Sequence, residues 1–208
     1  EAVHFSFMAR GEPLASEEFW RRGDWVMREL AAMAQSRGLM PRFMVSSIMP
    51  KWTKEQLFPF GGQLAQVFRV TQPHIYYSIY STDQKFREKW LPGAMGVNGA
   101  LEILKDYQDQ TGRIIKLHWS MIEGENDSLD NALGIVEAVD RWKLRVDVNL
   151  VRYNPWSPVQ GREASADSYK LTEVLLKVKW PMSRIKLVDR VGEDVFCSCG
   201  CFVSNGPS

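Results

Sequence analysis

A switch in apolar periodicity, repeated six times along 208 residues, constrains this chain more than any other feature. Short runs with every second residue apolar, the repeat of a strand, give way each time to apolar residues at helical spacing. Val3, Phe5 and Phe7 share one face of the first run, Val3–Met8. Ser16 is placed to cap a helix, with Glu17 and Glu18 in the first turn, where the helix dipole favours anions. Val26, Leu30, Met33 and Ala34 give that helix its stripe, and Gly38 a stop. Arg42–Ser46 and His74–Ile79 are the next strands. Between them a helix is expected over Lys51–Leu64, interrupted by Pro59 and the Gly61-Gly62 pair.

Asn98 is expected to cap a helix carrying Ala100, Ile103, Leu104 and Tyr107, ended by Gly112. Ile114–Ile122 is a strand, and Asp127 is expected to cap a helix with Leu129, Leu133, Val136 and Val139 near one face. Leu144, Val146, Val148 and Leu150 alternate with Arg145, Asp147 and Asn149. A helix over Ser165–Val178 and a strand over Arg184–Val188 close the series.

Strict alternation of strand and helix predicts an α/β fold on a parallel sheet, either doubly wound or curled into a barrel. Polar residues along one face of Leu144–Val151 favour a barrel interior facing a ligand. In both architectures chemistry gathers where strands end. The unusual residues do follow strands: Gly11-Glu12-Pro13, Ser46-Ser47, Ser78-Ile79-Tyr80, Glu123 to Asp127, Asn154-Pro155 and Cys199.

Charge is nearly balanced, 26 basic against 25 acidic residues, so no global basic field points to nucleic acid, and RNA binding would need a local patch. No apolar run approaches the roughly 18 residues of a membrane span, and no signal-peptide layout opens the chain. Three cysteines within five residues, Cys197, Cys199 and Cys201, make a poor disulfide framework, which points to a reducing, cytoplasmic setting. Glu1 rather than Met, with a strand almost at once, reads as a chain cut in mid-domain. The expectation is one domain over 1–208, with an N-terminal part absent.

Gly11-Glu12-Pro13-Leu14 is the sharpest local motif. Glycine permits close backbone approach, proline stiffens the turn, and the carboxylate between them suits a substrate ammonium. An ordinary strand-to-helix turn would use the same residues. Asn154, held extended before Pro155, offers the donor and acceptor needed to read an adenine edge, or simply begins a turn. The cysteine cluster reads as a thiolate metal site, as one nucleophile with two passengers, or as three reduced thiols. His4, His74 and His118 lack zinc spacing. Glu193 and Asp194 beside the thiols, with Glu123, Glu125 and Asp127, read as paired carboxylates for acid/base work, although helix capping and solvation explain most of them. The basic run Lys177, Lys179, Arg184, Lys186 and Arg190 is the one candidate for phosphate contact, and a solvated face explains it more readily.

These motifs, taken in order, resemble the radical-SAM RNA methyltransferases that act on adenine carbon 2, and their relatives acting on carbon 8. Phe7 to Leu14 resembles the family's strand and GEP motif. Arg42 to Ser46 resembles its third-strand segment, and Tyr77-Ser78-Ile79-Tyr80 its Ser-Leu-His segment. Met121 to Asp127 resembles its "GVND" turn, Asn149 to Pro155 its "NLIPxNP" strand, and Arg190 to Gly200 its terminal "RGxDxxAACG".

The resemblance implies a partial (β/α)6 TIM-like barrel of the radical-SAM type, lacking its first strand. It implies S-adenosylmethionine (SAM) and a [4Fe-4S] cluster as cofactors, with the cluster motif CxxxCxxC expected upstream of the GEP strand. It assigns Gly11, Glu12, Ser46, Ser78, Ile79, Tyr80 and Asn154 to the cofactor. Cys199 becomes the catalytic cysteine, methylated by one SAM. A radical derived from a second SAM would activate that S-methyl group for addition to the adenine ring. The implied partners are rRNA or tRNA and an electron donor, with a monomeric enzyme and no membrane. Tyr80 replaces the usual histidine, and Cys197 and Cys201 replace an alanine and a glutamine. These departures keep two alternatives open: a radical-SAM protein with another substrate, and a non-catalytic barrel remnant with a metal-binding tail.

Overall fold

The period-2 runs become six strands: β1 (Ala2–Phe7), β2 (Met40–Ser47), β3 (His74–Ser78), β4 (Ile115–Ser120), β5 (Val146–Val151) and β6 (Ile185–Val188). The computed structural model describes residues 1–8, 11–51, 63–155 and 158–189. Most of the helix expected over Lys51–Leu64 lies outside these residues, as do Arg190 and all three cysteines. The strands form one sheet, every neighbouring pair parallel, in the order β1-β2-β3-β4-β5-β6. A doubly wound sheet reverses its strand order part-way, and this one does not. Same-handed crossovers without reversal put the helices on one side and curl the sheet into a partial barrel.

The register sorts side chains by face. Val45, Ile75, Tyr77, Leu117, Val148 and Leu150 are buried on the convex side, within the core that the helices complete. The concave side carries Ser46, Tyr76, Ser78, Lys116, His118, Asp147 and Asn149, in register from strand to strand. Asp147 is buried there, paired with Lys116 and accepting the backbone N–H of Arg184 at 2.9 Å. A buried carboxylate needs such partners to offset its lost hydration.

The helices are α1 (Glu17–Gln35), α2 (Leu64–Val67), α3 (Gln84–Trp90), α4 (Val97–Thr111), α5 (Leu129–Arg141) and α6 (Ala166–Lys179). Ser16 caps α1 as expected, accepting from the N–H of Phe19 at 3.3 Å. The buried stripe of α1 is turned relative to the expected one. It runs through Trp20, Gly23, Met27 and Ala34, whereas Met33 is 55% exposed. Tryptophan at position 20 sets that phase: its indole N–H donates to the Leu14 carbonyl at 2.9 Å, turning that side of the helix inward.

Two expected caps are displaced by one or two residues. Helix α4 starts after Gly96, with no side-chain cap, so Asn98 lies inside its first turn. Ser128 caps α5 through the N–H of Asn131, while Asp127 accepts from Gly124 within the preceding turn. Leu129 is accordingly 43% exposed, and Ala132, Ile135, Val136 and Val139 form the buried face. Gly112 does end α4, at φ 70°, the left-handed region glycine enters without strain.

Candidate functional site

A cleft of 320 Å³ opens at the C-terminal ends of the strands. Five of the six strands reach it. Met8, Gly11 and Glu12 follow β1, and Ser46, Ser47 and Ile48 come from the end of β2. Ser78 and Tyr80 come from β3, His118 and Ser120 from β4, and Val151 to Asn154 from β5. The cleft thus gathers six of the seven residues assigned to the cofactor from sequence: Gly11, Glu12, Ser46, Ser78, Tyr80 and Asn154. Ile79 is buried in the convex core instead. Its N–H donates to the His118 carbonyl at 3.2 Å, tying β3 to β4 behind the cleft. Cys199 lies outside the described residues.

Glu12 does structural duty. One carboxylate oxygen accepts from Leu14 N–H at 3.1 Å, capping the 3-10 turn Pro13–Ala15, and the other accepts from Ile48 N–H at 2.8 Å. The loop after β1 is thereby stitched to the end of β2. Burial pushes the Glu12 carboxyl above its ordinary value. The bonds from Ile48, Ser47 and Leu14 oppose the shift without overcoming it. Among the described residues no cation pairs with it, so the carboxylate is desolvated and not neutralised. Gly11 precedes it at φ +82°, with nothing within 4 Å of where a Cβ would sit, so backbone conformation and not space explains the glycine.

The rim after β3 is held from outside the cleft. Tyr80 has φ 55°, a left-handed conformation that side chains disfavour. Its carbonyl accepts from Asn126 at 3.0 Å and from Asn131 at 3.2 Å. Asn126 is 1% exposed and also donates to Ser120 O at 3.0 Å while accepting from Ile122 N–H at 2.7 Å. The buried Arg87 guanidinium donates to the carbonyls of Ile79, Ser81 and Met95 at 2.8 to 3.2 Å. On the β5 side Arg152 pairs with Glu163 and lies over the Tyr169 ring at 5.5 Å.

His118 sits on the concave face of β4, edge-on to Tyr76 at 6.2 Å between centroids. Its Nδ1 is buried without a partner, and burial pushes the imidazole down to about 4. Lower on the same face His74 is also pushed down, first by burial and then by Arg113, Lys116 and Arg42. Among the described residues no group of three His, Cys, Asp or Glu side chains could hold a metal ion.

Sequence reasoning missed His118, Ser120, Arg152 and Tyr153. A usable signal was present: Lys116, His118 and Ser120 alternate with Ile115, Leu117 and Trp119, the pattern that marked β5 as facing a ligand.

No family model matches the chain. It is 28% identical over 203 residues to the probable dual-specificity RNA methyltransferase RlmN of Aquifex aeolicus, covering 93% of this chain and 53% of that protein. It is 26% identical over 202 residues to the ribosomal RNA large subunit methyltransferase Cfr of Lachnoclostridium phytofermentans, covering 94% and 54%. The chain is similar in sequence to the RlmN and Cfr methyltransferases. A radical SAM methyltransferase from Sphaerobacter thermophilus shares the fold, with a TM-score of 0.70 at 23% identity over 94% of this chain and 53% of that one. The chain spans about half the length of the curated proteins it matches. No described helix is long and apolar enough to cross a membrane.

Proposed function

We propose that the chain is a single radical-SAM core, the SAM-binding part of a cytoplasmic RNA methyltransferase that modifies an adenine of rRNA or tRNA. In this reading Cys199 carries the methyl group as an S-methyl intermediate. The observation that carries the SAM assignment is Glu12: a desolvated carboxylate, without a cation among the described residues, fixed at the mouth of a strand-end cleft. An ammonium is the ligand group that offsets such a charge. The hydroxyls of Ser46 and Ser78 and the amide of Asn154 supply neutral donors and acceptors for the remaining polar atoms of a nucleoside. SAM would supply an activated methyl group and, on reduction, a carbon radical.

The residues of this chain bind and orient. Glu12 fixes the amino acid end of the ligand while bridging β1 and β2. The left-handed turn at Tyr80, held by Asn126 and Asn131, fixes the part of the lining that follows β3. Among the described residues no group of His, Cys, Asp or Glu side chains could hold an iron–sulfur cluster, and none is assigned to it. Carbon 2 of adenine is electrophilic and does not accept a methyl cation, and this favours a radical carried on a tethered carbon such as an S-methyl group on Cys199.

The test is direct. Intact protein purified from its host is digested, and the Cys199 peptide is weighed. One added methyl on Cys199 supports the reading. Active protein with an unmodified Cys199 refutes the methylcysteine route and favours a radical-SAM reaction on another substrate.

A further inference from the structure

We propose that His118 is a ligand-binding residue of the cleft and presents its Nε2–H as a hydrogen-bond donor to an acceptor atom of the bound nucleoside cofactor. The ligand named here rests on the SAM reading of the cleft; the placement of the proton does not.

His118 lies on the concave face, beside Ser78 of β3 and Asn149 of β5 in register. Its two ring nitrogens have different surroundings. Nδ1 is sealed from solvent and has no hydrogen-bond partner. Nε2 is not among the sealed, unpartnered atoms, and His118 is a lining residue of the cleft. A neutral imidazole has one N–H and one bare lone pair. Burying an unpaired N–H costs more than burying an under-used acceptor, so the proton belongs on Nε2, where a ligand or water satisfies it. Burial also keeps the ring uncharged, with protonation pushed down to about 4. The side chain therefore recognises an acceptor without adding charge.

Its partner in recognition is Glu12. Both residues line the same cleft, one as a carboxylate acceptor and one as a neutral donor. Such a site selects a ligand with a cationic amine and, apart from it, a lone-pair nitrogen or oxygen. SAM carries both. A lone histidine with no zinc spacing gives no hint of this in sequence, because its meaning comes from which nitrogen the fold seals.

Two measurements test the inference on the whole chain. Two-bond proton–nitrogen spectra of 15N-histidine-labelled protein, assigned by the signals lost in His118→Gln, report the tautomer. The expected result is an Nε2–H imidazole that does not change charge between about pH 8 and about pH 5. An Nδ1–H tautomer, or an imidazolium at about pH 6, overturns the proposal. SAM binding is then measured by calorimetry. His118→Leu weakens it about tenfold, whereas His118→Gln, whose amide N–H can replace the Nε2–H, stays within about threefold of wild type. Equal affinity in wild type and both variants overturns the role of His118 alone. Wild-type protein that fails to bind SAM overturns the cofactor reading on which the ligand assignment rests.

Discussion

Replacing Asn126 by leucine keeps the branching of the side chain but removes polar atoms that are all used. Its amide donates to Tyr80 O and Ser120 O, each at 3.0 Å, and accepts from Ile122 N–H at 2.7 Å. The residue is 1% exposed, so water cannot replace these bonds without opening the turn. Three lost bonds at about 1 kcal/mol each put the cost near 3 kcal/mol. For a chain of this length that corresponds to a fall in Tm of roughly 6–12 °C. Asn126→Asp fares no better: it keeps the acceptor for Ile122 but turns an oxygen toward two carbonyls. Asp127→Ala is the control, because its bond to Gly124 N–H is exposed and worth under about 1 kcal/mol. Thermal and urea unfolding of the three variants beside wild type decide the matter. A loss below about 1 kcal/mol in Asn126→Leu would refute the view that this side chain holds the rims of β3 and β4 together.

Glu12 titrates above its ordinary value of 4.5 in the folded chain, so folding takes up a proton in the window just above that pH. Its contribution to stability is present below 4.5 and is lost as pH rises through the folded value. Urea midpoints measured from about pH 4 to about pH 8 should show this slope in wild type and not in Glu12→Gln. Gly11→Ala must hold a side chain at φ +82°, costing roughly 1–2 kcal/mol, and unfolding midpoints read that loss. In the intact enzyme, Cys199→Ala should abolish methyl transfer to RNA while Cys201→Ala only weakens it; equal loss in a methylation assay would contradict the assignment of Cys199.

The alternation of strand and helix was legible because each strand buries one face, and the burial leaves a two-residue rhythm in the sequence. Glu12 and Asn154 were legible because glycine and proline mark strand ends, and strand ends form the rim. The errors have equally local causes. Asn98 and Asp127 are both good caps by residue type. In each case a neighbour, Gly96 or Ser128, has the extended backbone that starts the helix, and propensity alone does not rank adjacent candidates. Phasing the stripe of α1 on its aliphatic residues places Met33 in the core, whereas Trp20 and Met27 set the buried side. Alternation turns the Ile79 side chain away from those of its neighbours Ser78 and Tyr80, into the core. His118 is legible only through the alternation of Lys116, His118 and Ser120 with the buried residues of β4, because a single histidine lacks metal-site spacing. Asn126 looked like one polar residue among several in a turn, and its three bonds reach residues that only the folded sheet brings near.

The sorting of the sheet into an oily outer face and a polar inner one divides the protein's tasks between two sets of residues. Exchanges at Ser46, Ser78 or His118 change the lining of the cleft while the contacts with the helices persist. Exchanges at Val45, Tyr77 or Leu117 weaken the scaffold without touching its chemistry. A lineage built on such a sheet can acquire a new substrate through a few inward-facing positions and still assemble, which makes the inner face the place to read where this chain has diverged from its relatives.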